Sequence, residues 1–277
     1  MANLKVLSKA SLYVYTEADF KASLSYLQQM GPIWADGSLR SDAPLFRVLS
    51  IAAKAPAHLY DKFQKDDPVA LEFLSCKRAV WELGVSIGIL GESVIRADEF
   101  VRLTTEKFWT SHYLLYMAAF FRINGRIVSF TAEGARKSPD LKIDEWFVEC
   151  KERDPSADPS SYFGALFRKS REKFSAKRYQ PGVVIFDIDP EHLFPAIGMS
   201  FEEHQQILSK AAYSELSRMP NIDAAILTIR RTTMRTARGI SCPLLLMTLL
   251  NPKSRDTKLT EVWSGFIKHF GSCSQIE

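Results

Sequence analysis

The 277-residue chain has few cysteines and no cysteine pattern. Cys76, Cys150, Cys242 and Cys273 stand far apart, with no CxxC pair. That excludes a zinc ribbon and a disulfide framework, and free thiols suit a reducing cytosol. The five histidines (His58, His112, His192, His204, His269) are scattered without HxH or HExxH spacing, so no zinc site is expected. GxxxxGK[ST], GxGxxG and GxSxG are all missing, which removes the common nucleotide-binding loops and the serine-hydrolase elbow. Neither sign of charge dominates: the formal net charge is +4, which permits a polyanionic partner without demanding one. Long apolar runs are absent too. GVSIGIL and PLLLMTLL are the longest and are too short to span a bilayer, and MANLKVLSKASLYVYTEADF has no signal-peptide core. These absences lead to the expectation of a cytoplasmic protein with no membrane partner. There is no internal repeat or low-complexity segment.

What is present suffices for a real core: 46% hydrophobic and 25% charged residues, in a length that suits one large or two modest domains. Residues 16–110 read mostly as helix. TEADFKASLSYLQQMG has Thr16 as cap, Asp19 in the first turn, Phe20, Leu24 and Leu27 at helical spacing, and Gly31 as a stop. PLFRVLSIAAKAPAHLYDKF and PVALEFLSCKRAVWELGVSIGIL read as two further helices. ADEFVRLTTEKFWTSHYLLYMAAFFRING reads as one long helix or two in series, ending at Asn124-Gly125. The period then shortens. RIVSF, SPDLKI, WFVECK, GVVIFDID, DAAILTIRR and PLLLMTLL read as strands. SYFGALFRKSREKFSAKR, FEEHQQILSKAAYSELSRM and LTEVWSGFIKHF read as helices, and DPSADPSS as a loop. The fold class is therefore α/β, a mixed central sheet flanked by helices, with an N-terminal helical domain. Residues 1–97 form the helical part, for recognition or partner binding, and 98–277 the α/β domain. The helix before Gly125 fits either side of that line.

The informative stretch is SPDLKIDEWFVECKER, residues 138–153. A hairpin around Asp144-Glu145 sets Ile143 opposite Trp146, Leu141 opposite Val148 and Asp140 opposite Glu149. Alternation then puts Leu141, Ile143, Trp146, Val148 and Cys150 on one face, a core face. Asp140, Lys142, Glu149 and Lys151 take the other. Opposed carboxylates stand about 5 Å apart at Cβ and repel by up to ~1 kcal/mol. A divalent cation removes that repulsion, since Mg²⁺ favours one or two carboxylates plus waters and phosphate oxygens. Lys151, on the same side, is placed to orient or help deprotonate a metal-bound water. Asp-Glu suits a two-residue turn poorly, because type I′ wants positive φ, and a four-residue loop over 143–146 keeps the same register.

Pro139-Asp140 followed by Glu149-Cys150-Lys151 resembles the PD-(D/E)XK nuclease superfamily, the restriction endonuclease-like fold. The likeness covers roughly residues 100–190, with the C-terminal third open to it, and leaves the first hundred unexplained. The resemblance implies a Mg²⁺ (or Mn²⁺) dependent nuclease, most of all a DNA endonuclease. It implies Asp140, Glu149 and the backbone carbonyl of Cys150 as metal ligands, and Lys151 as the residue that positions the attacking water. Relatives often carry a further acid on the helix before the first strand. Here the match is poor: His112 and Tyr113 stand near that place, Glu106 about two turns earlier, and Asp98 and Glu99 farther back. The following helix often aims a Gln, Lys or Arg at the site, a role open to Lys169 or Lys173. Many relatives dimerise, which leaves a homodimer open.

Other residues carry sharper and blander readings. Arg230, Arg231, Arg235 and Arg238 make either a phosphate-contacting loop or an ordinary hairpin tip. RKSREK tracks a nucleic-acid backbone or is a solvated face. Asp187 and Asp189 read as strand-end acids, Asp144 and Glu145 as turn residues, and Cys150 as packing. The alternative to the nuclease is a catalytically incomplete nucleic-acid-binding or assembly module on the same fold. A third possibility makes the helical N-terminal part a protein-interaction domain whose effector is the nuclease.

Overall fold

Thr16 opens the first helix as its sequence implies. In the computed structural model of the chain, the Asp19 N–H donates to the Thr16 hydroxyl at 3.2 Å and the Thr16 N–H to the Asp19 carboxylate at 2.8 Å. This capping box starts α1 (Glu17–Gln29). The structure describes residues 14–30, 42–55, 68–95, 97–105, 107–131, 138–151, 162–175, 179, 181–188, 201–230, 234–236, 239–241 and 244–253. The expected stop at Gly31, the DPSADPSS loop and the helix over LTEVWSGFIKHF lie outside these residues.

Helices α2 (Pro44–Lys54) and α3 (Pro68–Leu90) each begin on a proline, whose missing N–H costs nothing in a first turn. The segment before Gly125 resolves into two helices, α4 (Ala97–Leu103) and α5 (Phe108–Ile123). Between them the Thr104 and Thr105 hydroxyls donate back to the Val101 and Arg102 carbonyls at 2.7 and 2.8 Å, closing α4 with side chains. Gly125, at φ +82, ends α5 in the left-handed region that glycine enters freely. The middle of α5 is buried on every side, and α3 packs against α1, α2 and α5. Glu82 on α3 receives Arg78 Nε at 2.6 Å and lies 3.2 Å from His112 Nε2 on α5.

Two compact units divide at 127/128 rather than at 97/98, because α4 packs on α5 and α5 on α3. The helical unit also takes back residues 232–243. There β7 (Met234–Thr236) and β8 (Gly239–Ser241) form a hairpin that pairs with β1 (Val14–Tyr15), in the order β1-β8-β7.

The second unit is an α/β layer on a six-stranded mixed sheet. Its strands are β2 (Val128–Phe130), β3 (Leu141–Ile143), β4 (Trp146–Lys151), β5 (Gly182–Ile188), β6 (Ala224–Arg230) and β9 (Leu244–Leu250), in the order β2-β3-β4-β5-β6-β9. β4, β5 and β6 run parallel, and the remaining pairs are antiparallel. Each parallel step carries a helix, α6 (Tyr162–Arg171) and α7 (Phe201–Leu216), as a crossover requires. Phe163, Leu166 and Phe167 of α6 and Ala212 and Leu216 of α7 cluster with Val184, Phe186, Ala225 and Leu227. By register, that is the sheet face that also carries Phe147, Glu149 and Lys151. Val183, Val184, Ile185 and Phe186 are wholly buried, which is why GVVIF is a continuous apolar run and not an alternating one.

Gly182 begins β5 where nothing larger fits: a Cβ there would stand 2.8 Å from the Phe174 ring and 3.0 Å from the Asn221 carbonyl oxygen. Gly182→Ala is therefore expected to destabilise this unit by about 1–3 kcal/mol. A denaturant titration should show a lower midpoint at an unchanged slope; an unchanged midpoint would show that Phe174 moves aside freely. No described helix is long and apolar enough to cross a membrane.

Candidate active site

The hairpin register is as the sequence implies, Leu141 opposite Val148 and Ile143 opposite Trp146. The turn is the two-residue one, Asp144-Glu145, not a four-residue loop. Asp144 takes φ 51, and Asp tolerates this region better than most residues. Leu141, Ile143, Trp146, Val148 and Cys150 are all buried, so the core face stands.

The opposite face departs from the expectation in two ways. First, this polar side of the hairpin is partly covered. Lys142 is exposed, but Glu149 is fully buried and the Lys151 side chain is 24% exposed, on the sheet face that α6 and α7 pack against. Second, Asp140 does not continue the ladder opposite Glu149. β3 begins at Leu141, and the Asp140 N–H donates to the Val148 carbonyl at 3.0 Å. Its carboxylate then accepts the Cys150 N–H at 2.9 Å, so a side chain stands where ladder pairing stops. This pins Asp140 against the backbone between Glu149 and Lys151. Thr131 braces it from β2's side: its N–H donates to the Asp140 carbonyl at 3.1 Å and its hydroxyl to the Pro139 carbonyl. Thr131 was missed in the sequence, although continuing the β2–β3 register one step would have put it opposite Asp140.

The electrostatics follow from this packing. The Lys151 ammonium pairs with Glu149 Oε1, while Glu149 Oε2 is buried without a hydrogen-bond partner. Burial first, then the Asp140 charge, push the Glu149 carboxyl up to about 8, against the pull of the Lys151 and Lys173 ammonium groups. Burial pulls Lys151 down, but the Glu149 and Asp140 charges together outweigh it and leave its pKa raised. The two rises compete, since a neutral Glu149 would remove part of what lifts Lys151. Burial and the neighbouring Asp140 carboxylate both favour the protonated form of Glu149.

Of the two lysines considered beyond the hairpin, Lys173 acts on Glu149 and sits half-buried in the turn after α6; Lys169 is exposed. Arg230 closes β6 opposite Leu244, whereas Arg235 lies in β7 opposite Ile240, so these two arginines belong to different sheets. Arg231, Arg238, Asp189 and Glu106 lie outside the described residues. Asp98 and Glu99 are engaged by Arg102 in the helical unit, at 3.2 and 3.0 Å. Asp187 shares its sheet face with Val183, Ile185 and, by register, Cys150, the face opposite Glu149.

Among the described residues no group of three or more His, Cys, Asp or Glu gathers to hold a metal ion. The donors available are the Asp140 and Glu149 carboxylates and the intervening Cys150 carbonyl. A buried carboxylate oxygen without a partner, beside a second carboxylate, is what a hard divalent cation satisfies. Mg²⁺ needs only one or two such groups and completes its shell with water. The residues fit such an ion. No protein-family model, curated protein or solved structure matches this chain.

Proposed function

We propose that the second unit is a metal-dependent nuclease on a restriction endonuclease-like fold, hydrolysing phosphodiester bonds of nucleic acid, DNA above all. The observation that carries this reading is the fully buried Glu149, whose Oε2 lacks a partner while Asp140, Lys151 and Lys173 act on it. Burying a carboxylate beside another is costly, and such perturbed clusters concentrate at functional sites. Bound Mg²⁺ or Mn²⁺ would supply a water of lowered pKa and a counter-charge for the phosphate. Asp140 and Glu149 would hold it, with the Cys150 carbonyl beside them. Asp140 is preset by the Cys150 N–H. Lys151 orients the attacking water and shares its proton. Lys173 offsets charge next to Glu149, and the exposed Arg168, Lys169 and Arg171 of α6 give a backbone-tracking face.

The test is incubation of the full chain with supercoiled and linear DNA in Mg²⁺, Mn²⁺ or EDTA, beside Lys151→Ala. Metal-dependent cleavage lost in the variant is expected. Cleavage that survives in Lys151→Ala would refute this site.

A second reading is a binding module, favoured by the absence of a third acidic ligand among the described residues. It expects DNA retention by wild type and variant alike, indifferent to EDTA, with no cleavage.

A further inference from the structure

We propose that Thr131 is a positioning residue of this site: its hydroxyl fixes the backbone at Asp140 and so aims the Asp140 carboxylate at a bound cation. The inference rests on reading Asp140 and Glu149 as a metal site.

Asp140 stands where regular pairing stops. β3 begins one residue later, at Leu141, so strand pairing does not by itself hold the Asp140 backbone. Other bonds take over on both sides. Toward β4, the Asp140 N–H donates to the Val148 carbonyl at 3.0 Å, and Oδ2 accepts the Cys150 N–H at 2.9 Å. Toward β2, the residue that follows Phe130 supplies the rest. The Thr131 N–H donates to the Asp140 carbonyl at 3.1 Å. The Thr131 hydroxyl donates to the Pro139 carbonyl and lies 3.4 Å from the Asp140 carbonyl oxygen.

Those two carbonyls belong to the peptide groups on either side of the Asp140 Cα. Each peptide group is a rigid plane, so holding both fixes φ and ψ of Asp140 and the direction of its Cα–Cβ bond. Pro139, itself buried, adds its ring-locked φ to the same segment. With Oδ2 bonded to the Cys150 N–H, Oδ1 is the oxygen outside that bond, and its direction follows from the backbone. Mg²⁺ demands near-ideal octahedral geometry, so a small rotation of this ligand lowers affinity. Any residue but proline would supply the N–H bond. The hydroxyl bond needs Thr or Ser, and the inference concerns the hydroxyl alone.

The experiment compares wild type, Thr131→Val, Thr131→Ser and Asp140→Asn in the full chain, without nucleic acid, by two readouts. The first is Mn²⁺ affinity by calorimetry. Removing a group that orients a metal ligand is expected to weaken binding by about tenfold to hundredfold in Thr131→Val, while Thr131→Ser stays near wild type. The second needs no metal: hydrogen exchange of the Cys150 amide, whose acceptor is the Asp140 carboxylate. It is expected to quicken severalfold in Thr131→Val, with the amides of β5 unchanged and Thr131→Ser again near wild type. Wild-type values of either readout in Thr131→Val would overturn the proposal, and with Asp140→Asn still defective would leave the metal site standing. Equal losses in Thr131→Val and Thr131→Ser, or faster exchange throughout β5, would also overturn it, since the effect would then be one of packing. If wild type binds no Mn²⁺, the metal site falls, and with it the role assigned to Thr131.

Discussion

Glu149→Gln is expected to abolish metal-dependent cleavage, by a factor of about a thousand or more, while making the metal-free protein more stable above neutral pH. The two effects have one cause. Glu149 is fully buried beside Asp140, and its carboxyl is raised from 4.5 to about 8. The unfolded chain gives up this proton near pH 4.5, whereas the folded chain keeps it until about pH 8. Between those values the folded state binds the extra proton, so stability falls as pH rises. The contribution is complete below the unfolded pKa and is lost on passing the folded one. Glutamine imitates the protonated carboxyl and has no such loss. In EDTA the variant should match wild type near pH 5 and be the more stable of the two near pH 9. Lys151, losing its partner, can reach solvent on its exposed side. Thermal melts across this range would decide the matter: parallel profiles for both proteins would mean that Glu149 is ionised in the fold at neutral pH.

Asn251→Ala is expected to destabilise the sheet unit by about 2–3 kcal/mol, with a thermal midpoint lower by roughly 10 °C. Asn251 follows β9 and is 4% exposed. Its side-chain amide donates to the carbonyls of Leu216, Met219 and Ile222 at 3.1, 2.8 and 2.7 Å. Its backbone N–H donates to the Asp223 carbonyl at 2.8 Å, and its Oδ1 accepts the Lys253 N–H at 2.9 Å. One side chain therefore gathers three carbonyls where α7 ends and the chain turns into β6; those of Leu216 and Met219 also accept the Met219 and Ile222 N–H groups, and the Ile222 carbonyl has the shortest bond to the amide. Alanine supplies no donor and leaves these carbonyls without the amide, most of all that of Ile222. Asn251→Asp should be worse still, because it sets a carboxylate against three carbonyl oxygens. An aspartate variant as stable as wild type would show that water takes over these carbonyls, and the assigned role would fall.

Neither effect was legible at the level of composition. Asn251 sits in LLNPKS, which reads as an ordinary strand end, and only the approach of the α7 terminus gives its amide three acceptors. Glu149 is different. Its place, spacing and strand could be read directly, because a period of two residues fixes which side chains share a face. What alternation cannot say is what covers that face. The sequence reading left it as a polar side of a hairpin. The crossover helices α6 and α7 pack on that face of the sheet, and burial is what raises the Glu149 carboxyl.

The sequence by itself determined the strands over WFVECK and GVVIFDI, the register that opposes Leu141 to Val148, the helix starts at Thr16 and the prolines, and the gathering of Asp140, Glu149 and Lys151. These are local matters, settled by period, capping and turn chemistry within a few residues. Only the tertiary structure decided the order β2-β3-β4-β5-β6-β9, the pairing of β1 with β8, the alliance of α4 and α5 with the helical unit, and the choice of Lys173 over Lys169 beside Glu149. Each depends on contacts between residues far apart in the chain. Hydrophobic burial drives such contacts, but it has no direction and leaves no local mark on the sequence.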